Sequence, residues 1–472
     1  MKESSTIAEY LVSHKNSEPI SFHMPGHKGR EELFVQCGYG DFVKNMVGND
    51  VTEIPGADNL FDPRGTILRV KENYARLYGV QSTELLVNGS SAGIIASIMA
   101  SVPRGGKLIL GRNSHHSAFS AMRLGDITPV YLRPEIEPNS GLQIYISPEE
   151  VRAAVDENPD ASAVLITSPN YYGILSDIES IADICHDNNM LLIVDEAHGA
   201  HLKFFDRTAK HKRAAENLGA DLVVCSTHKT LLSYTGSGIL NICSSRVDAE
   251  EVREILHMVQ TTSPSYLLMG SLDINEKIMS RLADDVVARW KEDLIYFYRR
   301  ADRIPGVRIF THEMLDMTKI NISMAELGLS GEKLGRELRY NNIWIEMVHG
   351  EYVMLMTGAG NRRGDYVELL RALEQISRKY GIGKPIERRS ENYDFDLEVS
   401  EIPKKKTKQP LYLAEGHVMY SPVIIYPPGF PVVCPGEIMN MEAITCISRA
   451  LSNRESVVGV DDEGQVTVGE LE

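Results

Sequence analysis

Two stretches of the chain combine a buried-strand pattern with side chains that do chemistry. In residues 191–201, LLIVDEAHGAH, an apolar run leads into Asp195, Glu196 and His198. In residues 221–230, DLVVCSTHKT, an apolar run ends in Ser226, His228 and Lys229. Runs of this length suit strands buried on both faces of a parallel sheet. In such sheets ligands bind beyond the carboxyl ends of the strands, where Asp195 and Lys229 would stand together. A carboxylate and an amine so placed meet the needs of pyridoxal 5'-phosphate: the amine forms a Schiff base with its aldehyde. The carboxylate keeps the pyridine nitrogen protonated so that the ring accepts electrons. An ordinary ion pair at a sheet rim is the competing reading of these two residues alone.

Three further stretches bear on that choice. Residues 85–100, LLVNGSSAGIIASIMA, read as strand, small-residue turn and apolar helix. Ser90 and Ser91 stand where the helix begins, so their hydroxyls and the free backbone N–H groups can cradle a phosphate; a plain serine cap is the alternative. Residues 107–119, KLILGRNSHHSAF, place His115 and His116 just past a strand end, either as structural histidines or with one lying flat on an aromatic ring. Residues 163–177 are a buried strand ending in Ser168, Asn170 and Tyr171. The series is βαβαβ, and right-handed crossovers bring its strand-end polar groups to one sheet edge.

Composition bounds the rest. A chain of 472 residues predicts two or three domains. With 43% hydrophobic and 24% charged residues it reads as globular, and a net charge of −16 argues against a nucleic-acid partner. No apolar stretch approaches the roughly 20 residues of a membrane span, and residues 1–16 lack a signal-peptide core. The six cysteines show no CxxC spacing, so neither a metal site nor a disulfide framework is expected. The reading is a reduced, cytoplasmic protein.

Along the chain, residues 1–60 read as an N-terminal arm and loops, in which SFHMPGHKGR (21–30) is a dense polar turn that, taken alone, reads as a surface loop. Residues 61–300 form the large domain. Within it, Ser176 and Glu179 suggest a capping box, and TTSPSYLLMGSLD (261–273) is a hydroxyl-rich turn opening a long helix. Residues 301–385 read as a smaller α+β domain: short strands in KINISM, NIWIEMV and YVMLMTG, the last two joined as a hairpin, then a helical stripe from Tyr366 to Ile376 closed by Gly381. Residues 386–472 read as a linker and a C-terminal segment packing with the small domain, with a proline turn in VIIYPPGFPVVCPGE (423–437).

The phosphate turn, the stacking histidine, the aspartate and the lysine follow one another in the order of fold type I pyridoxal-phosphate enzymes. More closely, PGHKG, PGADNLFDPRG, NGSSAG, RNSHHS, SPNYYG, VDEAHGAH, STHKT, TTSPSYLLMGSLD and YPPGFPVVCPGE resemble, in order, segments of the Orn/Lys/Arg decarboxylase family in its short form without a wing domain. The resemblance implies an α/β large domain of the aspartate aminotransferase type with a mainly parallel sheet and a smaller α+β domain. It also implies a homodimer with shared sites, and decarboxylation of arginine, lysine or ornithine in polyamine biosynthesis. It makes Lys229 the Schiff-base lysine and Asp195 the pyridine partner, with Ser90, Ser91, Ser226 and His228 on the phosphate. It sets His115 on the ring and His198 near its O3', and has Thr262 and Ser263 reach the neighbouring subunit's site. An aminotransferase or lyase on the same fold, or a cofactor-binding regulator, are the other readings.

Two departures concern the substrate. His115-His116-Ser117 stands where the family usually has His-Lys-Ser, and His417 to Pro422 lacks the acid that many members carry before the YPPG turn. A basic substrate needs a carboxylate for its distal charge; Asp58, Asp62, Glu346 and Glu415 are the candidates.

Overall fold

The computed structural model describes residues 5–381, 395, 397–426, 430–453 and 455–470. Helix Ile7–Asn16 leads to a short strand, β1 (Ile20–Phe22). The large domain is built on β2 (Ser82–Leu86), β3 (Lys107–Gly111), β4 (Thr128–Leu132), β5 (Ala161–Thr167), β6 (Leu191–Asp195), β7 (Leu222–Cys225) and β8 (Gly238–Ile242). They form one sheet in the order β2-β8-β7-β6-β5-β3-β4. β3 to β7 pair in parallel, and β8 alone runs against its neighbours. This is the mainly parallel α/β architecture that the apolar runs predict.

Those runs are apolar on both sides because both faces are covered. Ile193 points into a core shared with helices Gly89–Ser101, His116–Gly125 and Ala249–Val259. Leu192 and Val194 point into the opposite core, with helices Thr66–Tyr78, Pro148–Glu157 and Ile178–Asp187. Helix Gly89–Ser101 lies especially close: a Cβ at Gly93 would sit 2.7 Å from Leu86 Cδ1 and 2.9 Å from Val224 Cγ1. That closeness brings the helix's first turn down to the strand ends.

The 36-residue helix Tyr266–Ala301 carries the chain to the small domain. There β9 (Arg308–Ile309), β10 (Lys319–Ser323), β11 (Ile343–Ile345), β12 (Met347–His349) and β13 (Tyr352–Met356) follow. The antiparallel sheet runs β12-β13-β10-β9, backed by helices Gly331–Tyr340 and Arg363–Tyr380. The helical stripe stands as read, with Gly381 in the left-handed region at φ 61. The stretch NIWIEMV divides, however. Only Met347–His349 forms the hairpin, while Ile343–Ile345 pairs in parallel with β1. The N-terminal arm is thereby stitched into the small domain.

Three further expectations are corrected. The cap of helix Ile178–Asp187 is Asp177, whose Oδ1 accepts the Ser180 N–H at 3.2 Å; Ser176 Oγ faces the Ile146 N–H instead. The linker is part strand: β14 (Lys406–Pro410) pairs antiparallel with the last strand, whereas 382–394 and the proline turn 427–429 lie outside the described residues. The C-terminal unit comprises β14, β15 (Val423–Tyr426), β16 (Phe430–Val433), helix Met441–Ser452, β17 (Ser456–Val458) and β18 (Gln465–Gly469), around its own core. Among the described residues its side-chain contacts run to the large domain, whereas the sequence placed it beside the small one. Arg112, one residue past β3, holds Glu437 through Nε–Oε1 at 2.6 Å and NH2–Oε2 at 2.9 Å, both side chains buried. Tyr131 on β4 donates to the Pro435 carbonyl at 2.8 Å. The polar side chains of the β3–β4 rim attract it.

Candidate active site

Strand register assembles the site. Thr167, Asp195 and Val224 lie side by side across β5, β6 and β7, so the chain leaves three neighbouring strands at one level. Asp195 ends β6, and its Oδ1 accepts the Ala197 N–H at 3.1 Å, which fixes the carboxylate at the strand end. One strand over, Ser226 precedes a single helical turn, Thr227–Thr230, that carries Lys229. Ser226 Oγ lies 2.8 Å from Ser90 Oγ, so the two serine turns meet. Gly89, at φ 73, turns the chain into the helix, and its N–H is spent on the Gly236 carbonyl. Ser90 and Ser91 remain half-buried in the first turn. A helix N-terminus with two hydroxyls and a third from Ser226 could hold an anion.

Lys229 is held below its ordinary value by removal from water, while Asp195 and Glu346 oppose the shift. The amine is thus nearer its nucleophilic free base than a surface lysine is. His198 is buried, its ring 4.9 Å from that of Tyr171, and neither ring nitrogen has a partner among the described residues. Burial, with Lys229 and Lys319 adding repulsion, keeps it neutral. His228 Nδ1 donates to the Ser237 carbonyl at 2.6 Å, and burial brings this histidine down to about 4. His115 caps helix His116–Gly125 and lies within electrostatic reach of Asp195 and Lys229. Thr262 and Ser263 are exposed on a turn whose Thr261 N–H donates to Asn88 Oδ1 at 3.3 Å; they border the serine turn without entering this chain's cleft.

The PGHKG turn is no surface loop. The Gly26 N–H donates to the His228 carbonyl at 2.7 Å, and the Gly26 carbonyl accepts from Gly360 at 3.0 Å. Cβ atoms at Gly26 and Gly358 would lie 2.2 Å from Leu231 O and 2.6 Å from Gly26 O respectively. Three backbones are stacked here, and glycine permits it. Lys28 is buried, donates to the Met356 carbonyl at 2.9 Å, and is drawn down to about 7 by burial, with Glu346 opposing.

Of the four candidate acids, Glu346 alone belongs to the cleft's charge system: it acts on Lys28, Lys229, Lys319 and Tyr171 and accepts the Met24 N–H at 2.8 Å. Asp58 is occupied by the N–H groups of Arg64, Gly65 and Ile67, which hold it near 2 against burial. Asp62 pairs with Arg64, and Glu415 is exposed.

A serine-lined helix terminus, a fixed carboxylate, a depressed lysine and a buried histidine with unpartnered nitrogens fit one ligand: phosphate at one end, pyridine nitrogen and aldehyde at the other. Residues 6–326 match the family described as "Orn/Lys/Arg decarboxylase, major domain". The chain belongs to that family. This decarboxylase is 32% identical to an arginine decarboxylase of Bacillus subtilis (strain 168), over 96% of this chain and 94% of the relative. It is 30% identical to one of Halalkalibacterium halodurans, over 98% and 96%. Among solved structures it is similar to the constitutive lysine decarboxylase of Escherichia coli, with a TM-score of 0.74 at 20% identity, over 98% of this chain and 81% of that one. An L-threonine transaldolase from Pseudomonas fluorescens shares the fold at a TM-score of 0.60, over 79% of this chain and 88% of that one. The decarboxylase is thus a fold type I enzyme that uses pyridoxal 5'-phosphate.

Sequence reasoning passed over Lys319, Asp316 and His201, which lie behind the cleft. Lys319 reads as one polar residue heading an apolar strand, and its burial is visible only once the domains are together.

Proposed function

We propose that this decarboxylase converts arginine, lysine or ornithine to the corresponding amine and CO2. Its α-carboxylate leaves as CO2, and a proton takes its place on Cα. The observation that carries the reading is Lys229 and Asp195 at the ends of neighbouring strands, within electrostatic reach of each other, beside the Ser90–Ser226 contact. Pyridoxal 5'-phosphate, when bound, supplies the sink for the electrons of the broken bond.

The chain's own residues bind and orient. Lys229 would bond the aldehyde carbon and Asp195 would hold the proton on the ring nitrogen. Ser90, Ser91, Ser226 and His228 would take the phosphate, His115 would cover the ring and His198 would approach its O3'. Return of a proton to Cα falls to Lys229 or a histidine near it. Glu346 is the carboxylate we assign to the substrate's distal charge, supported by its electrostatic reach to Lys229. The relatives named arginine decarboxylase make arginine the first substrate to test.

We further propose a cytoplasmic homodimer acting in polyamine biosynthesis. Support comes from the exposed hydroxyls of Thr262 and Ser263, the free thiols and the amine product. No helix among the described residues is long and apolar enough to cross a membrane. Incubation with the three amino acids and analysis of products tests the activity: CO2 with an equimolar amine is expected, and a keto acid instead would refute decarboxylation. Glu346→Gln should lower kcat/KM for the true substrate at least tenfold while the cofactor stays bound.

A further inference from the structure

A lysine of the small domain reaches into the back of the cofactor cleft. Lys319, at the head of β10, is fully buried, and its Nζ donates to the His198 carbonyl at 3.2 Å, to Asp316 Oδ2 at 3.4 Å and to Thr318 Oγ1 at 3.5 Å. Three acceptors answer the three protons of an ammonium. Asp316 Oδ2 also pairs with His201 Nε2 at 3.1 Å and accepts from Thr318 Oγ1 at 2.7 Å.

The cluster spans a domain boundary. Asp316, Thr318 and Lys319 belong to the small domain, whereas His198 and His201 lie on the loop that follows Asp195. The Asp316 N–H donates to the Gly173 carbonyl at 2.8 Å, and Asn321 Nδ2 to the Tyr172 carbonyl at 2.9 Å, which ties down the loop after β5 as well. Gly173 is the notch through which the lysine passes: a Cβ there would lie 2.7 Å from Lys319 Cβ and Cγ, at φ 94. A buried amine that bridges two domains only through polar contacts is expensive to keep, and it serves no packing purpose that a methionine would not serve.

We propose that Lys319 is a positioning residue of the cofactor site: it holds the His198 carbonyl from across the domain boundary and sets its amine behind Lys229. Small-domain docking and cofactor seating are then one linked event. The titratable and charged groups within electrostatic reach of Lys229 are Asp195, Glu346, Lys319, His115, His198 and His228.

The inference rests on Lys229 as the cofactor-bonding residue, which borohydride reduction and peptide mapping of the wild-type chain read separately. The decisive variant is Asp316→Asn with Lys319→Met, which removes both buried charges together and leaves neither ion without its partner. Circular dichroism should show it folded. Its dissociation constant for pyridoxal 5'-phosphate should rise at least tenfold, and amides 196–202 should exchange faster with deuterium. In Lys319→Met alone, which leaves the Asp316 carboxylate in place, the pH midpoint of the bound cofactor's visible absorbance should move upward, because a positive charge that opposes a proton on Lys229 Nζ has gone. Gly173→Ala, which displaces the lysine without removing its charge, should weaken cofactor binding in the same direction. Wild-type affinity in the double variant or in Gly173→Ala, or an unmoved pH midpoint in Lys319→Met, would overturn the proposal.

Discussion

Gly26→Ala tests the stacked backbones most directly. A Cβ at this position would stand 2.2 Å from Leu231 O, 2.5 Å from Thr230 C and 2.8 Å from Leu231 N, where ordinary contact begins at 3.4 Å. One layer must therefore move by about 1 Å. The turn cannot retreat the other way, because Gly358 already lies against the Gly26 carbonyl and the Gly360 N–H is bonded to it at 3.0 Å. The movement falls on Thr227–Thr230, the turn that carries Lys229. Overpacking of this kind costs about 1–3 kcal/mol, and more where backbone must shift. A misplacement of ~1 Å at a reacting group costs about a hundredfold in rate. We expect a lower melting temperature, a kcat/KM reduced ~100-fold by the same argument, and incomplete labelling of Lys229 when borohydride is added with cofactor. Gly364→Ala is the control, since a Cβ there meets nothing within 4 Å and its φ needs no glycine. If the two variants behave alike in all three measurements, the stacking argument is wrong.

Asp195→Asn should keep cofactor bound yet lose turnover at least about a hundredfold, the effect of removing a fixed charge worth roughly 3 kcal/mol in the transition state; near-normal turnover would make Asp195 merely structural. His27, His228 and His349 are each drawn by burial to about 4 from 6.5, so the folded chain keeps them neutral while the unfolded chain protonates them. Their folded values are depressed: the stability they allow is full above about pH 6.5 and is lost as pH falls toward 4. Urea titrations of the cofactor-free chain should show a midpoint falling across that window, and a flat midpoint there would contradict the burial. Mixing a Lys229→Ala chain with a chain disrupted at Ser263 should restore part of the activity if sites are shared between subunits; no recovery in proven heterodimers counts against sharing.

Period and strand-end chemistry made much of the large domain legible. Continuous apolar runs before Asp195 and Ser226 reported burial on both faces, and the serine turn announced a helix terminus. The small domain's registers were less so. NIWIEMV has a strand's composition throughout, but its first half pairs with residues more than three hundred positions earlier, which no local pattern encodes. The same limit explains PGHKG: its density of polar groups suits a surface loop until the Thr230–Leu231 and Gly358–Gly360 backbones are brought onto it. The Asp316–Lys319 cluster was hidden for a related reason, since charged residues near a short strand look solvated until another domain removes the water.

The Arg112–Glu437 pair has a consequence in time. Arg112 stands three residues before His115, yet the carboxylate that completes this corner of the sheet is synthesised 325 residues later. At about 5–20 residues per second that interval is roughly 15–65 s. Through it the Arg112 corner of the large domain waits on a carboxylate that has not yet been synthesised. Completion of this corner is therefore a late event in translation, and an amber codon shortly before Glu437 would leave a chain with nearly all of its chemical groups and without the Arg112–Glu437 pair.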